Sequence, residues 1–219
     1  MALEVYWGSG SPFAWRVLLT LEVKRLDYES KLLEFSKGEN KAPAYLQLNP
    51  RGKVPTLKDG DFVVYESLAI MAYLDRKYPA PPLFGKTAED AGLIWRAISE
   101  CESYLVSAGD KVVRPVFFGK GLEKVEEIQQ AAQTIRQELK TLDERLASSH
   151  WLVGEQISAA DIAVFPLVQL LLRAASKEAA QPLNLGLLPL AQTYPNIARW
   201  VQRIEALPNY QRTYPPHWR

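Results

Sequence analysis

The chain has 219 residues, of which 47% are hydrophobic and 23% are charged, so it can bury a core in one large domain or two small ones. This composition excludes a disordered chain, a collagen and a disulfide scaffold. With 26 Lys and Arg against 25 Asp and Glu, the net charge of +1 gives no basic field for a phosphate backbone. We therefore expect no nucleic-acid partner.

The sequence also bears on location. The single cysteine, Cys101, cannot form a disulfide within the chain, and the first residues lack the basic and apolar regions of a secretion signal. The apolar stretch 162–172 is interrupted by Pro166 and Gln169, and it is shorter than the roughly 18 residues that span a bilayer. We expect a cytoplasmic protein without a membrane-spanning segment.

The first third of the chain alternates predicted strands with predicted helices. Apolar and polar residues alternate up to Trp7, which predicts a strand that ends at the turn 8–12. Helical spacing follows, with Ser11 at the N-cap and Pro12 at the first helical position. A second strand is predicted over 28–35, and 36–42 is predicted as a loop or short helix.

A hairpin, a helix and a linker come next. The strand-like runs 54–57 and 62–65 flank 58–61, whose Asp-Gly pair predicts a tight turn. Glu66 and Ser67 begin a helix that is predicted to end near Tyr78. The segment 79–85 contains three prolines and a glycine, which is typical of a linker between domains.

The remainder of the chain has helical periodicity. Helices packed in a bundle are favoured over a coiled coil because the chain returns through several of them. Ser158 and Asp161 have the spacing of a capping box, with Ile157 and Ile162 placed for a hydrophobic staple, so we expect a structural role for Asp161. The clearest apolar series is Val125, Ile128, Ala132, Ile135, Leu139, Leu142 and Leu146.

Four motifs in this order resemble those of the cytosolic glutathione transferases. They are Ser-Pro-Phe-Ala-Trp-Arg-Val at 11–17, Asn-Pro-Arg-Gly-Lys-Val-Pro at 49–55, Glu-Ser-Leu-Ala-Ile at 66–70 and the box at 158–161. The resemblance covers the whole chain. It implies an α+β, thioredoxin-like domain of order β-α-β-α-β-β-α over 1–78, a linker over 79–86 and an all-helical bundle domain over 87–219.

The resemblance assigns residues to glutathione. A cis Val54–Pro55 bond would let the Val54 backbone pair with the extended tripeptide as an added strand. Without the resemblance, Pro55 could also be a trans proline at an edge strand. Ser67 could be an N-cap alone, and Lys53 a solvated surface charge. The resemblance implies that the helix start at 66–67 binds the γ-glutamyl group and that Lys53 contacts the glycyl carboxylate. The implied glutathione-binding residues are Phe13, Lys53, Val54, Pro55, Glu66 and Ser67.

Ser11 carries the catalytic hypothesis. A free thiol is mostly protonated at neutral pH, so the site must lower the pKa of the glutathione thiol by about two units, or about 3 kcal/mol. The Ser11 hydroxyl at a helix N-terminus would donate to the sulfur and stabilise the thiolate. Ser11 as an N-cap alone is the structural alternative, and Ser9 is the competing serine.

The motif at 11–17 also departs from known classes. It resembles the omega-type string with serine in place of cysteine, and Trp15-Arg16-Val17 resembles the zeta type. Without a cysteine at position 11 no mixed disulfide can form there, which disfavours thioltransferase, and the missing zeta-type serines disfavour isomerase activity. A tyrosine-type mechanism through Tyr6 is disfavoured because a strand aromatic is usually in the core.

The second substrate is expected to bind between the domains. Its implied residues are Tyr104, Ser107, Arg114, Phe117 and Phe118, together with Phe13, Val112, Tyr214 and Trp218. The resemblance implies a homodimer that conjugates glutathione to a small hydrophobic electrophile in detoxification. A glutathione-dependent peroxidase or disulfide reductase and a non-catalytic glutathione-binding scaffold are the alternatives. We expect no metal or redox cofactor, since His150, His217 and Cys101 are too scattered to bind one.

Overall fold

The structure is a computed structural model that describes residues 3–218. These residues form two compact units, which are described separately. Unit 1 contains 3–83 and 206–218, and unit 2 contains 84–205. The break after Leu83 falls inside the predicted linker. The segment 206–218, which the sequence analysis placed in the helical domain, belongs with unit 1.

Helices and strands follow the order expected from the sequence. The strands are β1 (Leu3–Trp7), β2 (Tyr28–Leu32), β3 (Thr56–Asp59) and β4 (Phe62–Tyr65). The helices are α1 (Pro12–Val23), α2 (Pro43–Leu48), α3 (Ser67–Lys77), α4 (Ala88–Glu100), α5 (Ser107–Phe117), α6 (Val125–Ala147), α7 (Ala159–Ala175), α8 (Leu190–Thr193), α9 (Pro195–Glu205) and α10 (Tyr210–Thr213). A π-helical turn at Cys101–Val106 separates α4 from α5. The α+β first domain and the helical second domain are confirmed.

The sheet of unit 1 has the order β2-β1-β3-β4. Strands β1 and β2 are parallel, as a helical crossover such as α1 requires, and the pairs β1–β3 and β3–β4 are antiparallel. Val5 in the central strand lies opposite Ser30 and Leu57. Because side chains alternate along a strand, one row of apolar residues faces the helices. The resulting core contains Leu3, Val5, Trp7, Ala14, Val17, Leu18, Leu21, Leu57, Ile70 and Leu74.

Two predicted strand boundaries are wrong. β2 ends at Leu32, and Phe35 begins a 3₁₀ turn instead, since the Glu34 carbonyl accepts from Lys37 N at 3.1 Å. The third strand begins at Thr56, after Pro55, which has no N–H for the ladder, and it continues to Asp59. The hairpin turn therefore lies at residues 60–61.

The C-terminal segment joins unit 1 because α1 carries an aromatic anchor for it. The indole of Trp15 is 2% exposed, and its Nε1 donates to Thr213 Oγ1 at 2.8 Å. The Trp15 ring also makes edge contacts with Tyr214 and Trp218, at centroid distances of 5.8 and 5.5 Å. Helical periodicity over the second half of the chain could not distinguish these residues from the bundle.

Unit 2 is helical, and α7 is its most buried helix. The capping box is confirmed, since the Asp161 carboxylate accepts from the Ser158 N–H and hydroxyl at 2.9 Å each. It also accepts from Leu152 N and from Trp200 Nε1, both at 2.9 Å. Asp161 is fully buried and holds the start of α7 to two other segments. Within residues 3–218 no helix is both long enough and apolar enough to cross a membrane.

Candidate functional site

Ser11 caps α1, as predicted. Its Oγ accepts the Ala14 N–H at 3.2 Å, and its own N–H donates to the Gly8 carbonyl at 3.1 Å. The side chain is partly exposed. A hydroxyl both accepts and donates, so the N-cap contact leaves the Ser11 O–H available for another acceptor. The N-cap role and a role toward a ligand are therefore compatible at one atom.

Ser9, the competing serine, is differently engaged. Its Oγ lies 2.5 Å from Nδ1 of His217 in the C-terminal segment. Gly10 connects the two serines with a φ of +81°, in the left-handed region that favours glycine. The loop thus directs one hydroxyl to His217 and leaves the other at the start of α1.

Arg16 connects α1 to α3 and was missed as a site residue. The guanidinium is fully buried, and Nη1 donates to Ser67 Oγ at 3.3 Å. Its carbon Cζ lies 5.0 Å from the centroid of the partly exposed Phe13 ring. An arginine within the apolar run 13–21 was the signal that could have identified it, because a buried cation requires partners.

Two buried side chains, those of Asn49 and Tyr45, form hydrogen bonds that hold the loop 49–55. Asn49 Nδ2 donates to the Lys53 carbonyl at 2.8 Å and to Thr56 Oγ1 at 3.1 Å. The Tyr45 hydroxyl donates to the same Lys53 carbonyl at 2.5 Å. The Lys53 side chain is exposed, and the Val54–Pro55 bond is cis, as expected. Among the described residues, no hydrogen bond involves the Val54 backbone.

The start of α3 combines a buried hydroxyl with an exposed carboxylate. Ser67 is the first helical residue and is 6% exposed. Glu66 precedes it with a φ of +71°, a conformation that is unfavourable for a residue other than glycine and is concentrated at functional sites. The Glu66 carboxylate lies in solvent, 3.9 Å from Arg51 Nε. The first turn of α3 therefore presents amides, a hydroxyl and a carboxylate to one region.

Tyr6 is not available as the acid of a tyrosine-type mechanism. Its hydroxyl donates to Glu4 Oε2 at 2.9 Å. The pKa of Tyr6 is raised to about 12, mainly by burial and secondly by the hydrogen bond to Glu4. The phenol is therefore neutral at physiological pH and already has an acceptor.

The candidate residues of unit 2 lie along α5 and the turn before it. Tyr104, Ser107, Arg114, Phe117 and Phe118 are all exposed, and Phe118 is 75% exposed. Arg114 and Phe118 line a surface groove of about 420 Å³, which does not include the other three. Val112 is fully buried in the core, so its expected place in a binding wall is wrong. Helical periodicity alone did not separate the two faces of α5.

In unit 1 the proposed glutathione residues lie at the starts of two helices and in one loop. Ser11 begins α1, Ser67 begins α3, and Arg16 bridges these helices. Lys53 and Val54 lie in the loop that leads to the central strand β3. In the part of the chain that the structure describes, no group of three His, Cys, Asp or Glu residues could hold a metal ion.

Family models match both parts of the chain. Residues 10–77 match the family model of the glutathione S-transferase N-terminal domain, and residues 107–208 match that of the C-terminal domain. Glutathione S-transferase theta-1 of Homo sapiens is 32% identical, over 94% of this chain and 83% of its own length. Glutathione S-transferase hmp2 of Hypomyces subiculosus is 32% identical over 94% of both chains.

A solved structure gives the same result. The crystal structure of a glutathione S-transferase from the Antarctic clam Laternula elliptica is 32% identical, with a TM-score of 0.84. The match covers 100% of this chain and 94% of the clam protein. The resemblance seen in the sequence motifs is confirmed, and the chain belongs to the glutathione S-transferase family.

Proposed function

We propose that this protein stabilises the glutathione thiolate through Ser11 and conjugates it to small hydrophobic electrophiles. The observation that carries the proposal is the geometry of Ser11 Oγ. It accepts the Ala14 N–H at the start of α1 and keeps its own proton for a ligand. A thiolate placed before this helix would accept the Ser11 O–H and lie at the positive end of the helix dipole.

The electrostatic requirement is modest. Lowering the thiol pKa from about 8.5 to neutrality requires about 2 kcal/mol, and a full two units requires about 3 kcal/mol. A hydrogen bond to a charged acceptor contributes about 1.5–3 kcal/mol, and a helix N-terminus adds about 0.3–1 kcal/mol. Ser11 and the first turn of α1 together meet this requirement without a metal or redox cofactor.

The remaining residues of unit 1 fit the rest of the tripeptide. The Val54 backbone, for which the described residues provide no hydrogen-bond partner, would pair with the extended ligand as an added strand. The γ-glutamyl carboxylate would bind at the start of α3, where Ser67 accepts from Arg16 and can still donate. Glu66 would face the ligand's amino group, and Lys53 the glycyl carboxylate. Phe13 and Pro55 would form the apolar walls.

The chemical step is a substitution or an addition. The thiolate sulfur donates an electron pair to the electrophilic carbon, a C–S bond forms, and either a leaving group departs with its electron pair or the addition product takes up a proton. Tyr104, Ser107, Arg114, Phe117 and Phe118 offer an exposed aromatic and polar surface for the electrophile. A cytoplasmic homodimer without a nucleic-acid or membrane partner completes the proposal, by analogy with the family.

The pH titration of bound glutathione tests the proposal. Thiolate absorbance is followed by ultraviolet difference spectroscopy with the wild type and with Ser11→Ala, and Ser36→Ala, an exposed serine of unit 1, is the matched control. We expect the bound thiol to ionise near neutrality in the wild type and in the control. In Ser11→Ala its pKa should rise by about one to two units, with a fall in kcat/KM of about 10- to 100-fold.

Ser11→Thr is the conservative control, since it keeps both the cap and the donor. Ser11→Ala should lose about 1 kcal/mol of stability through the cap, whereas the threonine variant should lose little. If glutathione binds but its thiol titrates as it does in water, a non-catalytic scaffold replaces this proposal. Activity confined to peroxides or disulfides would favour the reductase alternative.

A further inference from the structure

The C-terminal segment 214–218, and His217 in particular, lies against the loop that carries Ser11. His217 Nδ1 is 2.5 Å from Ser9 Oγ, two residues before Ser11. The edge of the imidazole also contacts the next residue, because a methyl group at Gly10 would lie only 2.7 Å from His217 Cε1. The ring therefore touches both residues that precede Ser11.

The hydrogen bonds of the imidazole define its tautomer. The indole N–H of Trp218 donates to His217 Nε2 at 3.1 Å, and an indole nitrogen can only donate. Nε2 is then the unprotonated nitrogen of a neutral ring, which carries its proton on Nδ1. In this tautomer His217 donates to the Ser9 hydroxyl and links the loop to the C-terminal segment.

The segment that presents His217 is itself fixed to α1. Trp15 Nε1 donates to Thr213 Oγ1 at 2.8 Å, and the Trp15 ring packs edge-on against Tyr214 and Trp218. Arg212 forms an ion pair with Glu22 at 3.3 Å. These contacts join the C-terminal segment to the helix that Ser11 caps, so the imidazole and the cap belong to the same unit.

The start of the loop is also constrained. The ring of Phe35 packs so closely on Gly8 that no methyl group fits there, and the Gly8 carbonyl accepts the Ser11 N–H at 3.1 Å. Two of the three residues before Ser11 are glycines, whose backbone has many accessible conformations. Phe35 at Gly8 and His217 at Ser9 and Gly10 therefore both restrict this stretch.

We propose that His217 is a positioning residue, which holds the 8–10 loop through Ser9 and so sets the placement of the Ser11 hydroxyl against the glutathione sulfur. The inference rests on the proposed function of Ser11. It predicts an effect on thiol ionisation and on kcat/KM, with little effect on the KM for glutathione, because Arg16, Lys53 and Ser67 keep their contacts.

The test compares His217→Ala, His217→Asn and Ser9→Ala with the wild type, and His150→Ala is the matched control. His150 is an exposed histidine of unit 2. Each full-length protein is assayed for the pKa of the bound glutathione thiol and for steady-state kinetics with chlorodinitrobenzene. Thermal melting of each variant establishes that it is folded.

In His217→Ala the thiol pKa should rise by about half a unit to one unit, and kcat/KM should fall about three- to tenfold. The KM for glutathione should stay within about twofold of the wild type. Ser9→Ala should show the same rise in thiol pKa. The double variant with His217→Ala and Ser9→Ala should show no larger rise than either single variant. His217→Asn, which keeps a donor near the position of Nδ1, should recover most of the loss.

Unchanged thiol pKa and kcat/KM in folded His217→Ala and Ser9→Ala would overturn the inference. A rise in the KM for glutathione without a thiol shift would overturn it as well, since that result indicates general loss of packing. An unperturbed thiol in the wild type is a different outcome, because it defeats the proposed function of Ser11 itself and this inference with it.

Discussion

The guanidinium of Arg16 lies 3.3 Å from the hydroxyl of Ser67, and both residues are buried. The contact joins α1, which Ser11 caps, to the first residue of α3, where the proposed carboxylate site lies. In the proposed site, this side chain would link the region that binds the thiol to the region that binds the γ-glutamyl group. This relationship gives the first prediction.

Arg16→Met should weaken glutathione binding. It removes a charge-assisted hydrogen bond to Ser67, which contributes about 1.5–3 kcal/mol, so we expect the KM for glutathione to rise about tenfold or more. Isothermal titration calorimetry with glutathione provides an independent measurement. Arg76→Met, at an exposed position of α3, is the control and should match the wild type. An unchanged glutathione affinity in folded Arg16→Met would show that the bridge has no part in binding.

Asn49→Ala should disturb the loop that presents Val54. The substitution leaves the Lys53 carbonyl and the Thr56 hydroxyl without the donor that now lies 2.8 and 3.1 Å away. We expect the free energy of unfolding to fall by about 2–3 kcal/mol and the affinity for glutathione to fall with it. The pKa of the bound thiol should not change, because Ser11 is untouched. Gln47→Ala, at an exposed position of α2, is the control in urea unfolding and binding assays.

Tyr6→Phe should leave the thiol titration unchanged. The pKa of Tyr6 is about 12 in the folded protein and about 10 in an unfolded chain, because burial and the bond to Glu4 favour the neutral phenol. The contribution of Tyr6 to the free energy of unfolding is therefore fully present below about pH 10, and it is lost as the pH rises toward 12. Ultraviolet titration of the wild type against Tyr6→Phe should assign the missing phenol a pKa near 12. A thiol shift in Tyr6→Phe would instead favour a tyrosine-type mechanism.

Asp161→Ala should destabilise unit 2. Its fully buried carboxylate accepts from Ser158, Leu152 and Trp200, and the substitution leaves all of those donors without it. We expect a loss of about 3 kcal/mol or more in the free energy of unfolding and a lower folding yield. Asp110→Ala, at an exposed position of α5, serves for comparison. Equal melting temperatures of the two variants would contradict a structural role for Asp161.

The sequence predicted the elements whose signals are local. Ser11 before Pro12 marked the start of α1, the Asp-Gly pair marked the hairpin, and Ser158 with Asp161 marked the start of α7. Each of these depends on residues within a few positions of one another, so backbone chemistry alone indicates them. The order of strands and helices along the first domain followed once the motifs at 11–17 and 49–55 indicated the family.

Contacts between distant parts of the chain could not be predicted in this way. Arg16 with Ser67 and Ser9 with His217 are separated by 51 and 208 residues, and no periodicity links them. The exposure of Phe118 and the burial of Val112 depend on how α5 is rotated within its bundle. Such features depend on tertiary packing, which propensity and spacing do not encode.

Unit 1 is discontinuous along the chain, because residues 206–218 complete it after unit 2 intervenes. On the ribosome the sheet and the first three helices can therefore emerge well before Thr213 is available to the Trp15 indole. Until residues 206–218 are synthesised, the face of α1 that carries Trp15 lacks its aromatic cover. Chaperone contacts and aggregation during synthesis should accordingly concentrate at α1.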